Sequence, residues 1–348
     1  MTDTSSLETY FSLGLNGDRP VLKHRCPSAT VALLLALLVA ATTAGAARTA
    51  TSRIGFLWVQ DEAATAPYHQ GWIDGLRELG YVDGKNVVLV IRYANGDESR
   101  FPSLLDELVH VPVDVLVVSS RAIMPALKAT TTIPIVCATM NDPVSEGLVT
   151  SLARPGRNLT GVSWQAPDTA TKRLQLALEL RPKLRYLALI YDGNDKVAQR
   201  ERDIVVTAAR NSKVRGVPFD VRNLSDATSA FAAMAKDRPQ DLHLVQTAII
   251  TALRVQIAAL AISARLPLVS AERSMAEAGG VLTYGPKLAP VLKRGAVYVD
   301  RILKGATPQE LPIEQASEFE LVVNLKSAKA IGVTVPQSIL SRADYVIR

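Results

Sequence analysis

Cysteine, histidine and aromatic residues are scarce in this chain, and long apolar runs are nearly absent. The two cysteines among 348 residues, Cys26 and Cys137, supply neither a disulfide framework nor a thiolate metal site. In the body, His69, His110 and His243 stand apart from one another and spell out no acid–base pair or ligand set. No Walker-type, GxSxG or HExxH segment occurs, and no GxGxxG follows the first apolar run. The sequence therefore gives no reason to expect an enzyme, a cofactor or a metal. A basic stripe is missing too: 39 Lys+Arg against 33 Asp+Glu leave a net +6. Basic residues interleave with acidic ones, as in Arg200-Glu201-Arg202-Asp203, the pattern of a solvated helix face rather than of clustered cations that bind nucleic acid. One apolar run excludes a polytopic transporter, and 48% hydrophobic residues exclude a disordered chain.

That single run lies at 28–40, behind Lys23, His24 and Arg25 and ahead of small residues that include Ala44-Gly45-Ala46. A basic stretch, an apolar stretch and a small-residue site form the pattern of a secretory signal, with cleavage expected near Ala46. The alternative is an uncleaved anchor. Residues 1–46 are thus an extension and signal segment, and the body is expected outside the cytoplasm.

In the body, short apolar runs alternate with helical periodicity. Strands are expected at 53–59, 87–93, 113–118 and 135–137, with helices at 68–80, 101–110 and 122–130 between them. After Trp164 the rhythm restarts, with strands at 184–191, 214–221, 242–247 and 266–270 and helices at 197–212, 227–236 and 250–264. The tail offers a helix at 291–303, a strand at 319–323 and a short helix at 325–331. Such alternation implies right-handed βαβ units, here as two parallel-sheet α/β halves of similar size. Pro155-Gly156-Arg157-Asn158 and Gly279-Gly280 are the expected passages between them.

Open parallel sheets bind ligands beyond the carboxyl ends of their strands. That rule selects Gln60, Ser119, Ser120, Arg121, Thr139 and Asn141 in the first half, and Asp192, Asn194, Thr247 and Glu272 in the second. Ser119 and Ser120 precede a helix, so their hydroxyls either cap it or face a carboxylate, or do both. Arg121 adds charge there or points to solvent. Asp142, before Pro143, reads as a turn residue bonded to its own backbone. Trp58, Tyr68, Trp164 and Tyr284 are aromatics near strand ends, suited to packing or to a stacking face.

Five segments carry a resemblance. They are Gly71-Trp-Ile-Asp-Gly-Leu-Arg-Glu-Leu-Gly-Tyr-Val-Asp-Gly-Lys-Asn86, Ala138-Thr-Met-Asn-Asp-Pro-Val144, Ser151-Leu-Ala-Arg-Pro-Gly-Arg-Asn-Leu-Thr-Gly161, Tyr298-Val-Asp-Arg-Ile-Leu-Lys-Gly-Ala306 and Phe319-Glu-Leu-Val-Val-Asn-Leu-Lys-Ser-Ala-Lys-Ala-Ile-Gly-Val333. In unbroken order over 53–346, the chain resembles the ABC-transporter substrate-binding protein family that includes tryptophan- and tyrosine-binding members. The resemblance implies a type I periplasmic binding protein: two Rossmann-like lobes joined by three crossovers, with 51–163 and 282–308 in lobe one and 164–280 and 312–348 in lobe two. It implies a small organic ligand, amino-acid-like or a carboxylate, held in the cleft between the lobes. Its partner would be an ABC permease with its ATPase, and contact with a membrane would come only through that permease or an uncleaved signal. The alternatives are a ligand-sensing module for a signalling partner and an α/β enzyme acting in the cleft. One departure stands out. Amino-acid-binding relatives place an acidic residue after the third strand of lobe two, where this chain has Val245-Gln-Thr-Ala-Ile249. A ligand ammonium would lose that partner unless Glu272 or Asp192 replaced it.

Overall fold

Two sheets form because each apolar run has helices to cover both of its faces. The computed structural model describes residues 51–164 and 166–348, so the extension and signal segment expected at 1–46 lies outside the described residues. β1 (Ser52–Trp58), β2 (Val87–Tyr93), β3 (Val115–Val118), β4 (Ile135–Met140) and β5 (Leu159–Ser163) belong to the first sheet. β6 (Tyr186–Tyr191), β7 (Arg215–Asp220), β8 (Asp241–Leu244), β9 (Leu268–Ser270) and β10 (Leu282–Pro286) belong to the second. β11 (Glu314–Gln315) returns to pair with β5, and β12 (Phe319–Asn324) and β13 (Tyr345–Ile347) complete the second sheet. The orders are β11-β5-β4-β3-β1-β2 and β13-β12-β10-β9-β8-β6-β7. Every pairing within them is parallel except β10 with β12.

The helices are α1 (Glu62–Glu78), α2 (Phe101–His110), α3 (Ile123–Ala129), α4 (Ala166–Leu180), α5 (Lys196–Asn211) and α6 (Leu224–Asp237). They continue with α7 (Ala248–Ala252), α8 (Arg254–Ser263), α9 (Arg273–Ala278), α10 (Leu288–Leu303), α11 (Leu325–Ala330) and α12 (Gln337–Leu340). Strand alternation sends Ile54, Phe56 and Trp58 of β1 into one core with Trp72 of α1, and Leu57 and Val59 into another with Leu105 and Leu108 of α2. In β6, Leu187 and Leu189 face one core of the second sheet, while Ala188 and Ile190 face the other.

The chain passes between the sheets three times, after β5, after β10 and after β11. These passages differ from the expected ones. Pro155-Gly156-Arg157-Asn158 leads into β5 within the first sheet, and Gly279-Gly280 leads into β10 within the second. Residues 282–286, expected with 51–163, pair instead with β9 and β12, and residues 314–315, expected with 164–280, pair with β5. β5 and β10 are five-residue strands containing glycine and threonine, so neither shows an apolar run. Gly161 is required in β5. Its φ is +138°, and a Cβ there would stand 1.9 Å from the Cys137 carbonyl oxygen in β4. α10 packs against the first sheet and α1, where a Cβ on Gly75 would come within 2.9 Å of Lys293 Cα. The expected helix at 250–264 is broken at Leu253, and the expected strand at 242–247 ends at Leu244.

Candidate functional site

The strand ends of the two sheets meet at one cleft of about 1030 Å³, counting the part open to solvent. From the first half it is lined behind β1 by Gln60, behind β3 by Ser119, Ser120 and Arg121, at the end of β4 by Thr139 and behind it by Asn141, and behind β5 by Trp164. From the second half come Asp195, Gln246, Thr247, Thr251, Arg254 and Glu272. Of the residues singled out from the sequence, Gln60, Ser119, Ser120, Arg121, Thr139, Asn141, Thr247 and Glu272 are brought together here with the aromatics Trp58, Tyr68 and Trp164. Asp192 and Asn194 do not line the cleft, and neither does Tyr284. It lies in β10 and stacks on Phe319, ring centroids 6.0 Å apart, because this strand belongs to the interior of the second sheet.

Local chemistry positions each wall. Asp61 caps α1 by accepting from the Ala64 N–H at 2.8 Å, and Thr65 and Tyr68, one turn apart, both line the cleft. Thr247 caps α7 by accepting from Ile250 N at 3.4 Å, and its carbonyl accepts from the Thr251 hydroxyl at 3.0 Å. Ser119 makes no capping bond; its hydroxyl approaches the Leu57 carbonyl at 3.4 Å, the outer limit of a hydrogen bond. The Thr139 hydroxyl is 3.9 Å from Cys137 Sγ, and the Asn141 carbonyl accepts from the Ser163 hydroxyl at 2.6 Å. Asp142 accepts from Ser145 N at 3.1 Å, as a turn residue does.

Charge in the cleft is largely committed. Arg121 pairs with Glu98 and reaches Asp192 Oδ2 at 3.5 Å and Asp195 Oδ2 at 3.7 Å, bridging from the first half to the second. Asp195 also accepts from Val197 N at 2.8 Å and Ala198 N at 3.1 Å. Glu272 accepts from the Tyr68 hydroxyl at 3.2 Å, from Ser274 at 3.1 Å and from Gln246 Nε2 at 3.3 Å. Burial raises the Glu272 carboxyl above its ordinary range, against the pull of the Ser274 and Tyr68 hydroxyls and of the Arg254 charge. Burial, then the adjacent Glu272 charge, raises the Tyr68 phenol. Arg254 donates to the Thr251 carbonyl at 3.0 Å and forms no ion pair among the described residues. No group of three or more His, Cys, Asp or Glu able to hold a metal occurs among the described residues.

Sequence reasoning passed over Arg254, Gln246, Thr251 and Asp195. Gln246 and Thr251 were placed inside a strand and a helix, so the break at Leu253 and the early end of β8 hid them. Asp195 carried a signal, an acidic residue directly ahead of a helix.

The family model for ABC transporter substrate binding proteins matches residues 57–347. The chain belongs to that family. A tyrosine-binding protein of Clostridioides difficile is 23% identical over 265 residues, 76% of this chain and 76% of the relative. A conserved domain protein of Vibrio cholerae has a similar solved structure, with TM-score 0.80, 26% identity, and coverage of 85% of this chain and 100% of the other. A Streptococcus pneumoniae ABC domain solved in complex with L-Trp gives TM-score 0.80 at 24% identity, covering 86% and 100%. These likenesses show the type I periplasmic binding fold expected from the sequence. The chain is thus a substrate-binding protein of an ABC transporter.

Proposed function

We propose that this protein is the extracytoplasmic capture component of an ABC importer, which closes two lobes on a small organic ligand and delivers it to a permease driven by its ATPase. Lobe one would comprise β1–β5, α10 and β11; lobe two would comprise β6–β10, β12 and β13. Export would use the signal segment within residues 1–46. The observation that carries this reading is the Tyr68–Glu272 hydrogen bond, which joins residues 204 apart in sequence at 3.2 Å across the cleft floor. A ligand that touches both walls adds contacts present only in the closed form, and so shifts the population towards it. Gln60, Ser119, Ser120, Thr139, Asn141, Trp164, Thr247 and Glu272 are our candidate contacts; Arg121, occupied by three carboxylates, serves the junction between lobes.

The test is a thermal-shift screen of the purified protein against amino acids, aromatic acids, nucleosides, polyols and small carboxylates. A ligand at 100 times its dissociation constant adds about 2.7 kcal/mol of stability. A compound that shifts the transition and is recovered unchanged supports capture. A compound recovered chemically altered contradicts it in favour of an enzyme.

A further inference from the structure

The cleft has two carboxylates and two guanidinium groups among its lining residues, and they are not equally engaged. Both carboxylates are taken. Asp195 accepts two backbone N–H bonds and lies beside Arg121, and Glu272 accepts from Tyr68, Gln246 and Ser274. At the loop behind β8 the lining side chain is the amide of Gln246, itself held by Thr251 at 2.6 Å and by Ser270 at 2.8 Å. A ligand ammonium would have to strip its hydration without a free anion to replace it, which is costly in a partly buried site. The cations differ from one another. Arg121 is surrounded by Glu98, Asp192 and Asp195, whereas Arg254 has one hydrogen bond, to the Thr251 carbonyl, and no ion pair among the described residues. Most of the Arg254 fork is therefore open to an acceptor, and its planar geometry matches a carboxylate.

We propose that the cleft selects small organic monocarboxylates that carry no ammonium group, with Arg254 taking the carboxylate. This rests on the solute-capture reading above. A phosphate monoester fits less well, since its second charge would fall near Glu272 and Asp195, with one open cation to offset it. The body of the ligand is apolar: Trp58, Val59, Tyr68, Trp164 and Ala248 supply the remaining walls. The Trp58 indole N–H is buried with no acceptor among the described residues, and a second ligand oxygen would satisfy it.

The test is calorimetric titration of the whole protein with matched series: L-phenylalanine, 3-phenylpropanoate, 2-phenylethylamine and 3-phenylpropanol, then the corresponding leucine and tryptophan sets. The acid of at least one set binds about tenfold or more tighter than its amino acid and alcohol, and the amines do not bind. Arg254→Gln weakens that acid by about tenfold or more, Arg254→Lys restores part of the loss, and Trp58→Phe costs a few-fold. Tighter binding of any amino acid than of its des-amino acid, or an Arg254→Gln protein that binds the acid unchanged, overturns the assignment. If no acid binds but a polyol or amino acid does, capture stands and the carboxylate class falls. If no compound of these sets or of the wider screen binds, both fall.

Discussion

His243 sits fully buried in β8, with neither ring nitrogen partnered among the described residues. Burial, and then the positive charge of Arg173, depresses its pKa well below the ordinary 6.5. The unfolded chain binds a proton at this residue below 6.5 and the folded chain does not, so stability falls as pH drops below that value. One such site contributes a slope of about 1.4 kcal/mol per pH unit. His243→Leu is expected to flatten the acid limb of a urea-denaturation series run from pH 7 to 5; an unchanged slope would show that the ring gains its proton while folded. Asp241 on the same strand works in the opposite sense. Burial raises its carboxyl, so its contribution is lost as pH rises above the ordinary carboxylate range. Nearby, Arg173 and Glu201 form an ion pair with both side chains buried. Burial raises Glu201 and the Arg173 charge opposes this. Removing Glu201 takes a charged acceptor from the buried Arg173 guanidinium, so Glu201→Ala is expected to cost about 1.5–3 kcal/mol in a denaturant titration. A cost under about 1 kcal/mol would mean that Arg173 is held by its other partners alone.

At the scale of elements, β5 depends on one residue. Gly161 combines a left-handed backbone with a Cβ position 1.9 Å from the Cys137 carbonyl, whereas Gly305 has a similar backbone, φ +102°, and open space around it. Gly305→Ala should therefore cost only backbone strain, about 1–2 kcal/mol. Gly161→Ala should cost that and the separation of β5 from β4, about 3 kcal/mol or more by thermal melting. Equal costs would show that close approach contributes nothing. The same strand shows what sequence patterning could and could not reveal. Helices such as α2 and α5 and strands such as β1 and β6 were legible because their apolar residues recur at the period of the element they form. β5 and β10 were not, being short, glycine-bearing and defined by neighbours far away in the chain. The chain passages were consequently placed one strand too early. Cleft residues such as Ser119, Asn141 and Glu272 were legible because each follows a strand whose end the apolar pattern marks. Arg254 was not, because its exposure to the cleft depends on the break at Leu253 within an otherwise continuous apolar helix pattern. Tyr284 was misplaced for the complementary reason: its strand was not seen, so its stacking on Phe319 could not be.

In the whole molecule, contacts cross from one half to the other: Tyr68 to Glu272, and Arg121 to Asp192 and Asp195. The phenol–carboxylate bond is part-buried and charge-assisted, while the Arg121 pairs are partly exposed and weakened by salt. Tyr68→Phe keeps the ring and loses the bond, so it should weaken ligand affinity by about tenfold. That loss should persist at 1 M salt, whereas the effect of Arg121→Ala should shrink there. A salt-independent Arg121→Ala effect would mean that its guanidinium meets the ligand directly. Converting a mostly open population to a mostly closed one requires about 10⁴-fold preference for the closed form, more than these contacts supply alone. The ligand must supply the rest. Small-angle X-ray scattering of the protein, titrated with a compound retained by the thermal screen, measures this directly. If the lobes close on the ligand, the radius of gyration decreases and saturates over the same concentration range as the thermal shift, and it decreases less for Tyr68→Phe at equal ligand. A compound that binds tightly while the scattering profile stays unchanged would contradict this closure, leaving a fixed pocket where a closing one is claimed.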